Sequence, residues 1–314
     1  MRYDTIPFVD KPVSRLVLGT AGRAFSSGGE VDELVETALS CGINCLDTAR
    51  VYGRSEEAIG AWLRRSDRRK DVVLLTKGCH PVAGFVPRVG ARQAEEDLRR
   101  SLDLLGTDHV DIYLLHRDNP LLPVGPIVEF LNKLHEEGRI GAFGGSNWTA
   151  RRVAEANAYA AAHGLKGFTV TSPHYSLGIQ TRDPWGNGCK TITGEKNRDQ
   201  RQWYAQCGMP VFAWSCLCDG VLSGKVKSDE WGGFQGSQKA YDCPENRERL
   251  RRCEELAAEK NATVAQIALS WLLCGPLKVF PIVSVSNPER IRENAAAADI
   301  VLTPEEAARL AGNP

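Results

Sequence analysis

Apolar residues along this chain recur with two periods that take turns. Short runs with nearly continuous apolar character are followed by stretches in which apolar positions return every three or four residues. After the run SRLVLGT, residues Val31, Leu34, Val35, Ala38 and Leu39 stand at i, i+3, i+4, i+7 and i+8, and Gly42 follows, which predicts one apolar helix face with a glycine stop. The runs NCLDT, VVLLTK, DIYLLH and IGAFGGS each lead into another such stretch, marked by Ile59, Trp62 and Leu63, by Ala94 to Leu105, by Ile127 to His135, and by an Ala-rich segment that Thr149 caps and Gly164 ends. Three further runs, FTVTSP, VFAWS and VFPIVS, complete a set of eight strands alternating with helices.

Parallel strands buried on both faces read as near-continuous apolar runs, and eight such units close most economically into a ring. The expected fold is therefore α/β, a (β/α)8 TIM barrel over residues 1–314 as one domain, with an open doubly wound sheet as the alternative. Residues 3–17 alternate apolar and polar around Asp10, Lys11 and Pro12, which predicts an N-terminal β-hairpin over 1–17 capping the barrel bottom. Extra helices and loops are expected after strands six and seven. One irregular stretch runs from Ser176 to about Lys196 around DPWGNG, ahead of a helix near residues 200–207. A second runs from Ser223 to about Asn246, ahead of helices near 247–259 and 263–274, the latter opened by a TxxQ capping box; TPEE opens the last helix.

Charge and composition narrow the partners. With 39 basic against 39 acidic residues there is no basic stripe for nucleic acid and no polybasic arm for an anionic membrane. No stretch approaches the roughly 18 apolar residues of a membrane span, and MRYDTIPFVDK lacks a signal-type apolar segment. Ten scattered cysteines without CxxC spacing fit reduced thiols of a cytoplasmic protein with a small-molecule substrate and no metal. Oligomeric state is left open.

Three runs end in a single ionisable side chain, Asp47, Lys77 and His116, and Tyr52 lies just beyond the first. Alone, an aspartate at a strand end is a cap and a lysine there is solvated; at successive strand ends of a barrel they meet on the face where such folds do chemistry. A phenol is a poor proton donor near neutrality, and a neighbouring ammonium, itself held by a carboxylate, lowers its pKa. Tyr52, Lys77 and Asp47 supply those parts, and His116 can polarise or orient a carbonyl. Ser146, Asn147, Ser172, Trp214, Ser215, Ser284 and Ser286 end later strands and suit a nicotinamide ring and its carboxamide, with Gly19 and Thr20 facing the same end. The helix that begins after Asn287 offers free N–H groups and Arg290 to a phosphate. His80 and His174 are candidate pocket residues, Trp148 and Trp185 candidate pocket walls, and Cys216 and Cys218 lie close in sequence to the site, whereas His109, His135 and His163 fall on the opposite side.

The stretches LDTARVYGRSEEAIG, LLTK, DLRRSLDLLGTDHVDIYLLH, GGSN, AWSCLCDGVLSGK and NPERIRENAAAADI, in that order, resemble the aldo-keto reductases over essentially the whole chain. The resemblance implies an NADP(H)-dependent carbonyl oxidoreductase interconverting an aldehyde or ketone and its alcohol, with NAD(H) left open. It makes Tyr52 the general acid, Lys77 and Asp47 its tuning pair and His116 the substrate-orienting residue. Ser146 and Asn147 match the carboxamide contacts, Trp214 the aromatic stacked under the nicotinamide, and Ser215, Leu217, Gly220 and Lys225 the cofactor loop that reaches the pyrophosphate. Ser286, Arg290, Glu293 and Asn294 match the adenosine end. Two positions depart from the family pattern: Ser172 stands where a glutamine is usual, and Val283 and Ser284 replace a usual Pro-Gly. Two other functions share these residues, a nucleotide-binding regulatory subunit of the kind found in voltage-gated potassium channels and a Schiff-base aldolase using Lys77.

Overall fold

The computed structural model describes residues 1–83, 86–186 and 188–312; residue 187, in the irregular stretch expected from Ser176 to about Lys196, lies outside the described residues. A short antiparallel hairpin, β1 (Tyr3–Asp4) and β2 (Val13–Ser14), precedes eight parallel strands. These are β3 (Val17–Gly19), β4 (Cys45–Asp47), β5 (Val73–Gly78), β6 (Val110–Leu115), β7 (Ile140–Ser146), β8 (Val170–Ser172), β9 (Val211–Ala213) and β10 (Val279–Ser284). They follow one another around the ring and β10 pairs with β3, so the sheet is a closed barrel rather than an open one. Val17, where the expected hairpin and the strand run SRLVLGT overlap, belongs to the first barrel strand.

Helices cover the outside: α1 (Arg23–Ser26), α2 (Asp32–Ser40), α3 (Ser55–Ser66), α4 (Ala91–Leu105), α5 (Val124–Glu136), α6 (Ala150–Ala162), α7 (Arg198–Cys207), α8 (Pro244–Glu259), α9 (Val264–Cys274), α10 (Pro288–Ala295) and α11 (Pro304–Ala311). The expected caps are formed. Thr149 accepts from Arg152 N, and Thr263 with Gln266 and Thr303 with Glu306 close reciprocal capping boxes. The one-turn α1, at the carboxyl end of β3, had no periodic signal in the sequence because four residues are too few to show one.

Strand period decides what the barrel holds. Side chains alternate between the two faces of a strand, so every second residue points into the ring. Val17, Cys45, Val73 with Leu75, Ile112 with Leu114, Ala142, Val170, Phe212, and Phe280 with Ile282 form one buried interior cluster. The intervening Leu18, Leu46, Leu74, Tyr113, Leu115 and Phe143 pack outward in a separate cluster with the helices. Two residues past this interior set, on the same face, stand Gly19, Asp47, Lys77, His116, Ser172, Trp214 and Ser284, and Ser146 follows four residues after Ala142 on that face. The apolar core therefore ends in a polar layer at the carboxyl ends of the strands. At the other end Ile6 and Val13 of the hairpin segment join the interior cluster, and Lys11 pairs with Asp111 at 2.9 Å.

Candidate active site

A cavity of about 830 Å³ opens on that polar layer. Asp47, Tyr52, Lys77 and His116 line one part of it; Ser146, Asn147, Trp214, Ser215, Leu217, Gly220, Lys225, Ser286, Arg290 and Asn294 line the rest. Gly19, Thr20, Ser172 and Glu293 do not. The Thr20 hydroxyl donates to Asp47 O at 2.8 Å, the Ser172 carbonyl accepts from Ser146 Oγ at 3.0 Å, and Glu293 pairs with Arg290 at 2.7 Å, so all three act from behind lining residues.

Parallel register positions the ionic pair. Asp47 lies beside Leu75 on the adjacent strand, and Lys77 is the next inward residue after Leu75. Lys77 Nζ donates to Asp47 Oδ1 and, at 3.1 Å, to Thr48 O, and both side chains are almost completely buried. Burial acts to discharge Lys77, but Asp47 and then Tyr52 outweigh it and raise its pKa, so the ammonium is held charged. Burial also raises the Asp47 carboxyl, with Lys77 pulling it back.

Tyr52 is carried by the loop after β4, which is stitched to β5 by Thr48 N to Leu75 O at 2.8 Å and Arg50 N to Lys77 O at 2.9 Å. The turn closes at Gly53, whose φ of +57° and close approach to Ser26 O leave no room for a side chain. Lys77 Nζ lies 5.0 Å from the Tyr52 ring centroid, and the His116 ring meets the tyrosine edge-on at 5.7 Å. Lys77 lowers the phenol as expected from sequence, but burial is the larger effect and Asp47 partly cancels the lysine, so the net direction is upward. Tyr52 therefore rests as the protonated acid.

His116 is buried and driven well below an ordinary histidine, by burial first and then by Lys77, Arg117 and His80. It is a neutral imidazole whose Nδ1 has no hydrogen-bond partner among the described residues. His80 does line the cavity, with its ring 4.9 Å from His116. Trp185 also lines it, half exposed and 5.4 Å from Trp214, and so does Cys216. His174, Trp148 and Cys218 do not. His174 sits behind Trp214, Trp148 is wholly buried against Phe168 at 5.1 Å, and the Cys218 thiol donates to Ser176 Oγ.

Sequence reading passed over Arg117, which lines the cavity immediately after His116, donating to His116 O at 2.7 Å and to Cys189 Sγ at 3.0 Å. Its position after a strand-end histidine was the available signal. Asn147, at φ +62°, is more occupied than a free carboxamide contact: its amide donates to Ser146 Oγ at 3.0 Å and its oxygen accepts from Lys190 N at 3.0 Å. The segment after β9 holds Ser215, Cys218 and Asp219 at positive φ, a strained turn at the cavity wall.

Two lining residues carry a buried, unpartnered polar atom, Trp214 Nε1 and His116 Nδ1, and Ser172 Oγ, behind Ser146, is another. Such atoms are rare unless a ligand or water meets them. Together with a cavity running from Tyr52 to Arg290, they fit a ligand polar at one end and anionic at the other. Among the described residues no group of three or more metal-type ligands occurs, and no helix is long and apolar enough to cross a membrane.

Residues 15–312 match the Aldo/keto reductase family. Similar curated proteins include the uncharacterized oxidoreductase YrpG of Bacillus subtilis, 27% identical over 97% of this chain and 93% of that protein. Aldo-keto reductase str7 of Strobilurus tenacellus is 28% identical over 93% and 83% of the two chains, and a probable voltage-gated potassium channel subunit beta of Oryza sativa is 30% identical over 97% and 94%. A closed eightfold barrel with a buried lysine–aspartate pair beside a tyrosine and a neutral histidine, together with a match from end to end, leaves one conclusion: the chain belongs to the aldo/keto reductase family.

Proposed function

We propose that the protein is an NADP(H)-dependent carbonyl oxidoreductase acting on aldehydes or ketones and, in reverse, on alcohols. The observation that carries this reading is Tyr52, a protonated phenol flanked by a charged Lys77 and a neutral His116 in one cavity. When bound, the dinucleotide supplies the hydride. Trp214, Ser146 and Asn147 would hold its nicotinamide end; Ser215, Leu217, Gly220 and Lys225 its middle; Ser286, Arg290 and Asn294 its adenosine end, with Gly19, Thr20, Ser172 and Glu293 supporting from the second layer. Arg290 at that end favours a phosphorylated dinucleotide, Lys225 lying by the pyrophosphate that both nucleotides share, and NAD(H) is the competing ligand.

Tyr52 gives its proton to the carbonyl oxygen as negative charge develops there. Lys77 stabilises the phenolate left behind, and Asp47 keeps Lys77 charged and pointed at it. His116, being neutral, donates a hydrogen bond to the same oxygen without adding a charge that would repel Lys77. In the oxidative direction Tyr52 takes the proton back. A lysine held charged suits this role and opposes a Schiff base, which needs the free amine.

Tyr52→Phe removes only the hydroxyl. It is expected to lower kcat by about 10²–10⁴-fold while leaving nucleotide affinity intact, read from NADPH consumption and from fluorescence titration with NADPH and NADH. Full turnover by that variant on a good substrate would displace Tyr52 as the acid. A second reading, a nucleotide-binding regulatory subunit, draws on the relatives named as potassium channel subunits beta. Tight NADPH binding with no turnover across a panel of aldehydes and ketones would favour it.

A further inference from the structure

One imidazole on the buried side of Trp214 has no part in the chemistry above. His174 is wholly buried and does not line the cavity, yet its ring lies 4.9 Å from that of Trp214. Its main chain bridges in parallel to Trp214 on one side and to Thr191 on the other. The side chain adds two arms. Nδ1 stands 2.8 Å from Thr191 Oγ1; Nε2 stands 3.1 Å from the Tyr241 hydroxyl and 3.3 Å from Ser176 Oγ.

These arms reach different segments. Thr191 belongs to the irregular stretch after β8, which carries the cavity-lining Trp185 and Cys189; Tyr241 belongs to the stretch after β9, which carries Gln238. Each contact is backed by another. Gln180 Nε2 donates to the Tyr241 hydroxyl at 3.1 Å, and the Thr191 and Thr193 hydroxyls lie 2.8 Å apart. Burial pushes the imidazole down to about 3, so one ring nitrogen donates and the other accepts at every pH at which the fold persists near neutrality.

We propose that His174 is a positioning residue for Trp214: a single side chain that fastens both long loops to the buried side of the indole and so fixes the aromatic wall of the nucleotide site. The proposal rests on Trp214 being that wall. Removing the ring takes one contact from each loop at once, while main-chain bonds such as Ile192 N to His174 O and Thr181 N to Ala240 O persist, so the two lost contacts loosen both segments jointly without detaching them.

The test exploits reach. A glutamine amide extends as far as Nε2 and an asparagine amide as far as Nδ1, so His174→Gln keeps the Tyr241 arm, His174→Asn keeps the Thr191 arm, and His174→Leu keeps neither. Amide hydrogen exchange of the full-length protein is followed at residues 188–193 and 236–241, beside NADPH and NADH titrations. In His174→Leu both segments exchange faster and NADPH binds about tenfold more weakly. Asparagine restores protection to the first segment and glutamine to the second. If wild type binds NADPH but His174→Leu matches it in affinity and in exchange of both segments, the positioning role is overturned and the functional reading stands. If wild type binds neither nucleotide, the functional reading fails and the proposal falls with it. Should His174→Leu fail to fold, Thr191→Val and Tyr241→Phe each remove one arm, and exchange confined to the corresponding segment supports the role while exchange unchanged in both refutes it.

Discussion

Replacing Lys77 by methionine keeps an unbranched side chain one atom shorter and removes its charge, leaving Asp47 buried without the cation that balances it. Breaking one side of a buried ion pair costs about 3–5 kcal/mol, because the remaining charge keeps its desolvation penalty. With a urea dependence of about 3 kcal/mol per molar, the unfolding midpoint of Lys77→Met should fall by roughly 1–2 M. The loss has a definite pH dependence. Burial is the first cause of the raised Asp47 carboxyl, and without Lys77 nothing opposes it, so the folded state binds a proton more tightly than the unfolded chain. That stabilising protonation is fully present below the unfolded carboxylate value and is lost as pH rises through the folded one, so the deficit grows from acid toward neutral pH. Adding Asp47→Asn removes the unpaired charge and should return more than half of the lost stability, but not turnover, since Tyr52 still lacks its cation. Urea titrations at two pH values on wild type, both single variants and the double variant form the cycle. A Lys77→Met protein within about 1 kcal/mol of wild type, or a double variant no more stable than that single one, would refute the account of the pair as a buried charge balance.

Further outcomes follow from other parts of the site. Because His116 is held neutral far below the ordinary histidine value, its neutral form survives as pH falls through about 6.5, and kcat/KM for reduction should show no break there; a transition centred near that value would mean an unperturbed imidazole. Tyr52, pushed upward, should stay protonated to beyond about pH 10, which puts the alkaline limb of the reductive profile above that value. Arg290→Ala should weaken NADPH by about ten- to a hundredfold and NADH far less, the size of a charge-assisted contact; equal losses for both nucleotides would remove Arg290 from the phosphate. Gly144→Ala would place a methyl carbon 1.9 Å from Val170 O, so the strands must part, and thermal unfolding should show a loss of several kcal/mol while an unaffected melting temperature would contradict that packing.

The chain itself determined the ring and its chemical layer. The runs NCLDT, VVLLTK and DIYLLH, apolar almost throughout, mark strands buried on both faces and put Asp47, Lys77 and His116 at their carboxyl ends, whereas the facing of Cys45, Val73, Leu75, Ile112 and Leu114 into the ring came from the folded barrel. Periodicity is a local property, so it can be read without knowing what a strand pairs with. Helix caps such as Thr263 with Gln266 are local for the same reason.

Tertiary structure alone decided how those groups act on one another. The phenol of Tyr52 depends on how much water the folded cavity excludes, and that exclusion outweighs the lysine that sequence pairing brings beside it. Which side chains complete the cavity was likewise settled by loops without a period: Arg117 and Trp185 face it, while His174 and Trp148 turn into the core. A residue in an aperiodic segment takes its direction from whatever packs around it, and those neighbours come from strands and loops distant in the chain.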